Sequence, residues 1–246
     1  MKSLKLTFVD LDGQFTSIIH KELISDPEVS TLFNSIETYS GDIKDFNDKC
    51  SNEKGLAYLS SGNSFGFMDY GIDVSYNSDI FPGIEKEVRW DIENVKRRNL
   101  FGKAYLPIGS ALITKRRSNF LITAPTMWMS QDVSKTNNTK HAFLGVLCVI
   151  YLWNHYHPNE IITHLVCPEL ATGFGKMTLT QSVKQIKNAI YEFDIDKLQP
   201  YHFRIFQEIR TYLEENPDVI KEQPNYYQNT QWKQIEPSSI LINKID

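Results

Sequence analysis

The sequence predicts an α/β protein of three layers, with helices on both faces of a mixed central sheet. Three observations lead there. Short apolar runs with strand character alternate with segments whose apolar residues recur at helical spacing. The chain has 246 residues, enough for one sizeable core. Its 41% hydrophobic and 23% charged residues are the proportions of an ordinary globular domain, and 12% aromatics argue against disorder.

Each element follows from local pattern. Leu4 to Val9 is an apolar strand that ends in the turn Asp10-Leu11-Asp12-Gly13. Phe15 to Leu23 has helical spacing, and Leu32 to Tyr39 is a weaker strand ending at Gly41-Asp42. Asp45 to Lys54 is polar and reads as a loop, after which strand Leu56 to Ser61 runs into the loop Gly62 to Gly71. Pro82 to Asn99 reads as a helix with Pro82 near its first turn and Ile84, Val88 and Ile92 on one face. Strands Ile108 to Thr114 and Asn119 to Pro125 flank the basic turn Lys115-Arg116-Arg117-Ser118, which reads as a solvated hairpin tip. A polar loop, Met127 to Asn138, precedes a helix from Lys140 to Tyr156 that is apolar nearly all round and therefore buried. His164 to Pro168 is a strand, Ala171 to Lys176 a second glycine loop, and Thr178 to Phe193 an amphipathic helix. Residues 1–196 form the domain on this reading, and 197–246 form a helical and extended appendage packed along it. The appendage has a helix at Phe203 to Leu213, prolines at 217, 224 and 237, and the aromatics Tyr226, Tyr227 and Trp232.

Composition excludes several classes of function. The net charge of -4 provides no basic field for nucleic acid or anionic membrane. Cys50, Cys148 and Cys167 are far apart and lack CxxC spacing, so neither a disulfide framework nor a zinc site is expected. His155 and His157 form the only close histidine pair, without a carboxylate or thiol at ligand spacing, and no metal or cofactor is assigned. The first apolar run is too short for a signal peptide, and Ala142 to Trp153 falls short of the ~20 residues of a membrane span. A monomeric cytoplasmic protein is the expectation.

Asp10-Leu11-Asp12-Gly13 after a strand resembles the opening motif of haloacid-dehalogenase-type phosphatases, but the Gly41-Asp42 to Asp45 cluster comes too early to be that family's later acidic motif, and a strand-end turn is the better explanation. Gly175-Lys176 fails as a P-loop because Leu170 and Met177 hold the glycine and hydroxyl positions, and Gly173-Phe174-Gly175 fails as a dinucleotide fingerprint because Thr178 ends it. What remains is strand, glycine loop and helix, and it occurs twice, at Ser61 to Asp73 and at Glu169 to Lys176. Two such loops at the carboxyl ends of neighbouring strands can hold a diphosphate on backbone N–H groups.

At these residues the chain resembles the macrodomains, the ADP-ribose-binding family, over roughly Leu4 to Phe193. Gly41-Asp42-Ile43 resembles the family's Gly-Asp-Ile, and Leu59-Ser60-Ser61-Gly62-Asn63 sits where the family has a strand ending in Asn-Ala-Ala-Asn. Gly71-Ile72-Asp73 matches the end of the glycine-rich loop, and Cys167-Pro168 through Thr172-Gly173-Phe174-Gly175 matches the second phosphate loop. Ser60 replaces the family's first Asn, and Phe65-Gly66-Phe67-Met68-Asp69-Tyr70 replaces a run that is mostly glycine, which marks a divergent subgroup similar to ADP-ribose 1''-phosphate processing enzymes.

The resemblance implies binding of ADP-ribose or an ADP-ribosylated molecule, and hydrolysis at the distal ribose. It implies that Asp42, with Ile43, receives the adenine amino group, and that Asn63 hydrogen-bonds the distal ribose hydroxyls. Ser64, Gly71, Ile72, Ala171, Thr172, Gly173, Phe174 and Gly175 would line the diphosphate and distal ribose. Asp73 would orient or activate water, although the residues alone also allow it to be a helix N-cap. Tyr70 either narrows the distal pocket or offers a stacking face, and Lys176 is either a phosphate contact or solvated. The competing functions are an ADP-ribose reader without turnover and an interaction scaffold whose aromatic tail does the binding.

Overall fold

The computed structural model describes residues 1–50, 52–94 and 102–193. Its six strands are β1 (Lys5–Asp10), β2 (Ser35–Ser40), β3 (Leu56–Ser60), β4 (Leu112–Arg116), β5 (Asn119–Thr123) and β6 (His164–Cys167). They pair in the order β2-β1-β6-β3-β5-β4. All pairs are parallel except the β4–β5 hairpin, so the sheet is mixed, as the sequence predicts.

The helices are α1 (Gln14–Ile19), α2 (Pro27–Ser30), α3 (Ile43–Lys49), α4 (Ile72–Ser75), α5 (Glu85–Asn94), α6 (Asn138–Tyr156) and α7 (Leu179–Glu192). Wider π-helical turns continue α1 over His20–Ile24 and α4 over Tyr76–Ile80. Strand side chains alternate between faces, and the two cores record that period. Leu6 and Phe8 of β1, Leu59, Ile122 and Leu165 pack with Phe15 of α1, Val146 and Ile150 of α6, and Ile186 of α7. Val9, Tyr58, Leu121 and Val166 pack on the other face with Phe46 of α3, Tyr76, and Val88 and Ile92 of α5. The three-layer α/β/α architecture is therefore built on two apolar clusters with the sheet between them.

Several boundaries differ from expectation for identifiable reasons. The stretch read as a loop from Asp45 contains α3. Its apolar stripe is only Ile43 and Phe46, so polar neighbours hide the period, and the Asp42 side chain caps it by accepting from the Lys44 N–H at 2.8 Å. The strand expected from Ile108 starts at Leu112, because a turn closes Pro107 to Ser110 first. The helix expected from Pro82 starts at Glu85, and α6 starts at Asn138. Positions 95–99 of the expected Pro82 helix and the whole appendage, including the Phe203–Leu213 helix, lie outside the described residues. No helix among the described residues is long and apolar enough to cross a membrane.

The strand order fixes where a ligand can sit. β1, β6 and β3 lie side by side and parallel, so Asp10, Cys167 and Ser60 end at one edge of the sheet. From β1 the chain proceeds to β2 on one side, and from β3 the sheet continues to β5 on the other. Such a switch point opens a crevice at the carboxyl ends.

Candidate functional site

A cleft of about 790 Å³ occupies that crevice. Its walls are the turn after β1 (residues 9–12), the loop after β3 (residues 61–73) and the loop after β6 (residues 168–176), with Met127 and Ser130 completing the lining. Both glycine loops singled out in the sequence therefore open into one space.

The first loop is held by its own amides and by the chain that follows β5. Asn63 Oδ1 accepts from the N–H of Phe65 (3.0 Å), and Asn63 Nδ2 donates to the Phe67 carbonyl (3.0 Å). The Asn63 side chain thus shapes the loop and retains one further Nδ2 hydrogen for a ligand. Ser64 is fully buried: its N–H donates to the Met127 carbonyl at 3.0 Å, and its own carbonyl accepts from Leu106 N–H at 2.8 Å. Ser64 anchors the loop and does not line the cleft.

The second loop turns tightly. Ala171 has φ of 61° and Lys176 of 53°, a left-handed conformation uncommon for residues with a Cβ. Met177 N–H donates to the Ala171 carbonyl at 3.0 Å, and Lys176 N–H to the Gly173 carbonyl at 3.0 Å. Gly175 fits only because it has no side chain, since a Cβ there would stand 2.3 Å from the Ala171 carbonyl oxygen. Among the described residues the N–H groups of Thr172, Gly173 and Phe174 donate to no backbone carbonyl. Strain and unused donors on one rim are the physical content of an anion-binding loop.

Asp73 is a buried acid of the cleft wall. It is the second residue of α4, whose N-cap is Gly71, so Asp73 is not the cap. It is 7% exposed, and its Oδ1 has no hydrogen-bond partner. Burial pushes its carboxyl up to about 7; a hydrogen bond from Ser60 opposes that rise and the nearby charge of Asp69 adds to it. The approach is made possible by Gly62, where a Cβ would stand 2.7 Å from Asp73 Oδ2. Ser60, at the end of β3, is thus a hydroxyl that favours the Asp73 carboxylate.

The cleft is lined by five carboxylates, those of Asp10, Asp12, Asp69, Asp73 and Glu169, against one cation, Lys176. Asp10, Asp12 and Glu169 are held by donors of their own segments. Asp10 accepts from the N–H groups of Phe15 (2.8 Å) and Thr16 (3.2 Å), Asp12 from Gln14 N–H (3.0 Å), and Glu169 from the Thr172 hydroxyl (2.7 Å). Asp10 and Asp12 hold the start of α1, as the strand-end-turn reading requires. Among the described residues no group of three or more His, Cys, Asp or Glu is placed to hold a metal ion.

Of the sequence-predicted residues, Asn63, Gly71, Ile72, Asp73, Ala171, Thr172, Gly173 and Phe174 meet in the cleft. Asp42, Ile43, Ser64 and Gly175 do not line it. Asp42 is exposed beside the Asp10 end, where Gly41 N–H donates to the Asp10 carbonyl at 2.7 Å, and Ile43 is buried under α3. Sequence reasoning passed over Ser60, Asp69 and Glu169 as functional residues. Ser60 carried a signal as a departure from the resembled motif, and Asp69 as an acid inside the first loop.

No family model and no curated protein matches the chain. Among solved structures, the macrodomain of Mycobacterium tuberculosis DarG is similar at 16% identity, over 55% of this chain and 81% of that one, with a TM-score of 0.43. A mutant Oceanobacillus iheyensis macrodomain with ADPR is similar at 14% identity, over 56% and 69% of the two chains, with a TM-score of 0.42. Thermosipho africanus DarTG in complex with ADP-ribose is similar at 14% identity, over 69% of this chain and 50% of that one, with a TM-score of 0.42. Likeness at this level leaves the chemistry to be read from the cleft.

Proposed function

We propose that this protein is a macrodomain that binds ADP-ribose in the cleft and hydrolyses a bond at C1'' of the distal ribose. Its substrate on this reading is an ADP-ribosylated protein or small molecule, or ADP-ribose 1''-phosphate. One observation carries the reading: two glycine loops face each other over the carboxyl ends of the central parallel strands, and the lining residues Thr172, Gly173 and Phe174 have N–H groups that donate to no backbone carbonyl among the described residues. Backbone donors suit a diphosphate, and they explain how an acidic cleft with one lysine holds an anion. The motif order along the sequence points the same way.

In this proposal the diphosphate lies between Gly71-Ile72 and Ala171-Thr172-Gly173, with Gly175 keeping the second loop closed beneath it. Asn63 uses its remaining Nδ2 hydrogen on a distal ribose hydroxyl. Asp42 receives the adenine amino group on Oδ2, because Oδ1 is occupied by the Lys44 N–H. The Asp73 carboxylate takes a proton from a water whose oxygen bonds to C1'' as the bond to the departing group breaks. The proton taken up by Asp73 passes on to the departing group, which restores the carboxylate, and the diphosphate stabilises positive charge developing at C1''. Phe174 walls the distal ribose.

A reader without turnover is the second reading. It is favoured by the Asn63 amide being largely engaged by its own loop and by Tyr70 standing over the cleft. Calorimetric titration of ADP-ribose separates both readings from a scaffold, since a folded protein that gives no heat excludes them. Release of ADP-ribose from modified substrates that is lost in Asp73→Ala with binding retained establishes the enzyme. Turnover that survives Asp73→Ala removes Asp73 from the chemistry.

A further inference from the structure

Resting on the proposed ADP-ribose site, we infer that Asp69 makes the distal end of the cleft reject an added negative charge, so that the physiological substrate carries an uncharged or cationic group at C1'' rather than a phosphate.

The loop after β3 places Asp69 and Asp73 together on the cleft wall. Asp73 is more than nine-tenths buried and lines the cleft, and its Oδ1 is enclosed without a hydrogen-bond partner, so this wall carries a carboxyl group that no donor neutralises there. Asp69 is exposed at the same wall, and its charge is felt at Asp73. One cation, Lys176, lines the cleft with them. Lys176, on the opposite loop, lies in the field of Asp132. Arg89 lies against the Phe67 ring, 4.6 Å from its centroid, and 3.5 Å from a Glu85 carboxylate oxygen.

A diphosphate is held by backbone donors and tolerates a carboxylate-rich wall. A phosphate on C1'' brings about 1.5 to 2 further negative charges towards Asp69 and the carboxylate form of Asp73, while the backbone donors of the second loop are already taken by the diphosphate. A neutral acceptor avoids this repulsion, and a cationic acceptor such as a guanidinium gains from Asp69. Of the two reactions the site supports, removal of an ADP-ribosyl group is therefore favoured over dephosphorylation.

The test is calorimetric titration of the full chain with ADP-ribose and with ADP-ribose 1''-phosphate, in wild type, Asp69→Asn and Asp69→Lys. Wild type should bind ADP-ribose about tenfold more tightly than the 1''-phosphate, and the gap should shrink as salt screens the repulsion. Asp69→Asn should narrow the gap by about threefold, and Asp69→Lys should close or invert it. Equal affinities in wild type, or a gap that ignores both substitutions, overturn the inference while leaving ADP-ribose binding intact. If no form of the protein binds either ligand, the proposed site falls and the inference falls with it.

Discussion

The ring of Tyr70 stands edge-on to the ring of Phe174, with centroids 4.9 Å apart and planes at 86°. Tyr70 belongs to the loop after β3 and Phe174 to the loop after β6, so this one contact joins the two walls of the cleft. Both rings are substantially exposed, 62% and 49%, so little packing beyond the pair itself fixes them. Tyr70 therefore reaches across the opening between the two loops.

A ligand entering between the loops must part these rings. An edge-to-face pair contributes ~0.5 to 1.5 kcal/mol, which favours the closed arrangement by about two- to tenfold. Tyr70→Gly should raise the association and dissociation rates of ADP-ribose by about that factor, with a smaller change in Kd. Stopped-flow binding measures both rates. If neither rate changes, the contact does not control entry.

Turnover should rise with pH through about 7, because burial holds Asp73 protonated below that value and the proposed step requires its carboxylate. The neighbours give the sign of two further shifts. Ser60→Ala removes a hydrogen bond that favours the carboxylate and should move the inflection up, whereas Asp69→Asn removes a like charge and should move it down. A kcat/KM profile between pH 5 and pH 9 reads all three forms. Opposite shifts to these would show that Asp73 is not the group being titrated.

Two glycines in one loop should behave differently. At Gly175 a Cβ would meet the Ala171 carbonyl oxygen at 2.3 Å and the Val133 side chain at 2.9 Å, whereas at Gly173 no atom lies within 4 Å. Gly175→Ala should lose ~1 to 3 kcal/mol of stability in urea unfolding and weaken ADP-ribose binding. Gly173→Ala should be near neutral in stability. Equal losses would mean that the loop's shape does not depend on the close approach at Gly175.

Those loops were legible in the sequence because glycine spacing after a strand is a local pattern. The layers were legible for the same reason: runs such as Leu4 to Val9 carry a strong period of their own. The helix at Ile43–Lys49 was hidden, since its burial rests on two apolar residues and a cap. The most consequential features of the site were not written locally at all. That Gly62 admits the Asp73 carboxyl, that Ser60 partners it and that Asp69 acts on it depend on how the end of one strand meets a loop ten residues later. Nor could the sequence show that Ser64 anchors its loop from within the core, where its N–H meets the Met127 carbonyl across the sheet.

Stability should fall as the solution is acidified below about pH 6.5, through a residue far from the cleft. His164, on β6, is buried, with Nε2 2.7 Å from the Thr7 hydroxyl and Nδ1 2.8 Å from Glu53 Oε1. The carboxylate requires a donor at Nδ1, so in the neutral ring Nε2 accepts from Thr7. Burial lowers the His164 pKa below its ordinary 6.5, with Lys5 acting the same way and Glu53 and Glu37 opposing. The unfolded chain therefore takes up a proton at this residue before the folded chain does. The stabilisation is complete above pH 6.5 and is lost as pH falls through the depressed folded value, with a slope of at most ~1.4 kcal/mol per pH unit. Urea unfolding at pH 7.5 and pH 5.5 measures that slope. His164→Gln keeps a hydrogen-bonding side chain but cannot titrate, so it should be less stable at pH 7.5 and less sensitive to acid. An unchanged difference between the two pH values in His164→Gln would assign the acid sensitivity to other groups.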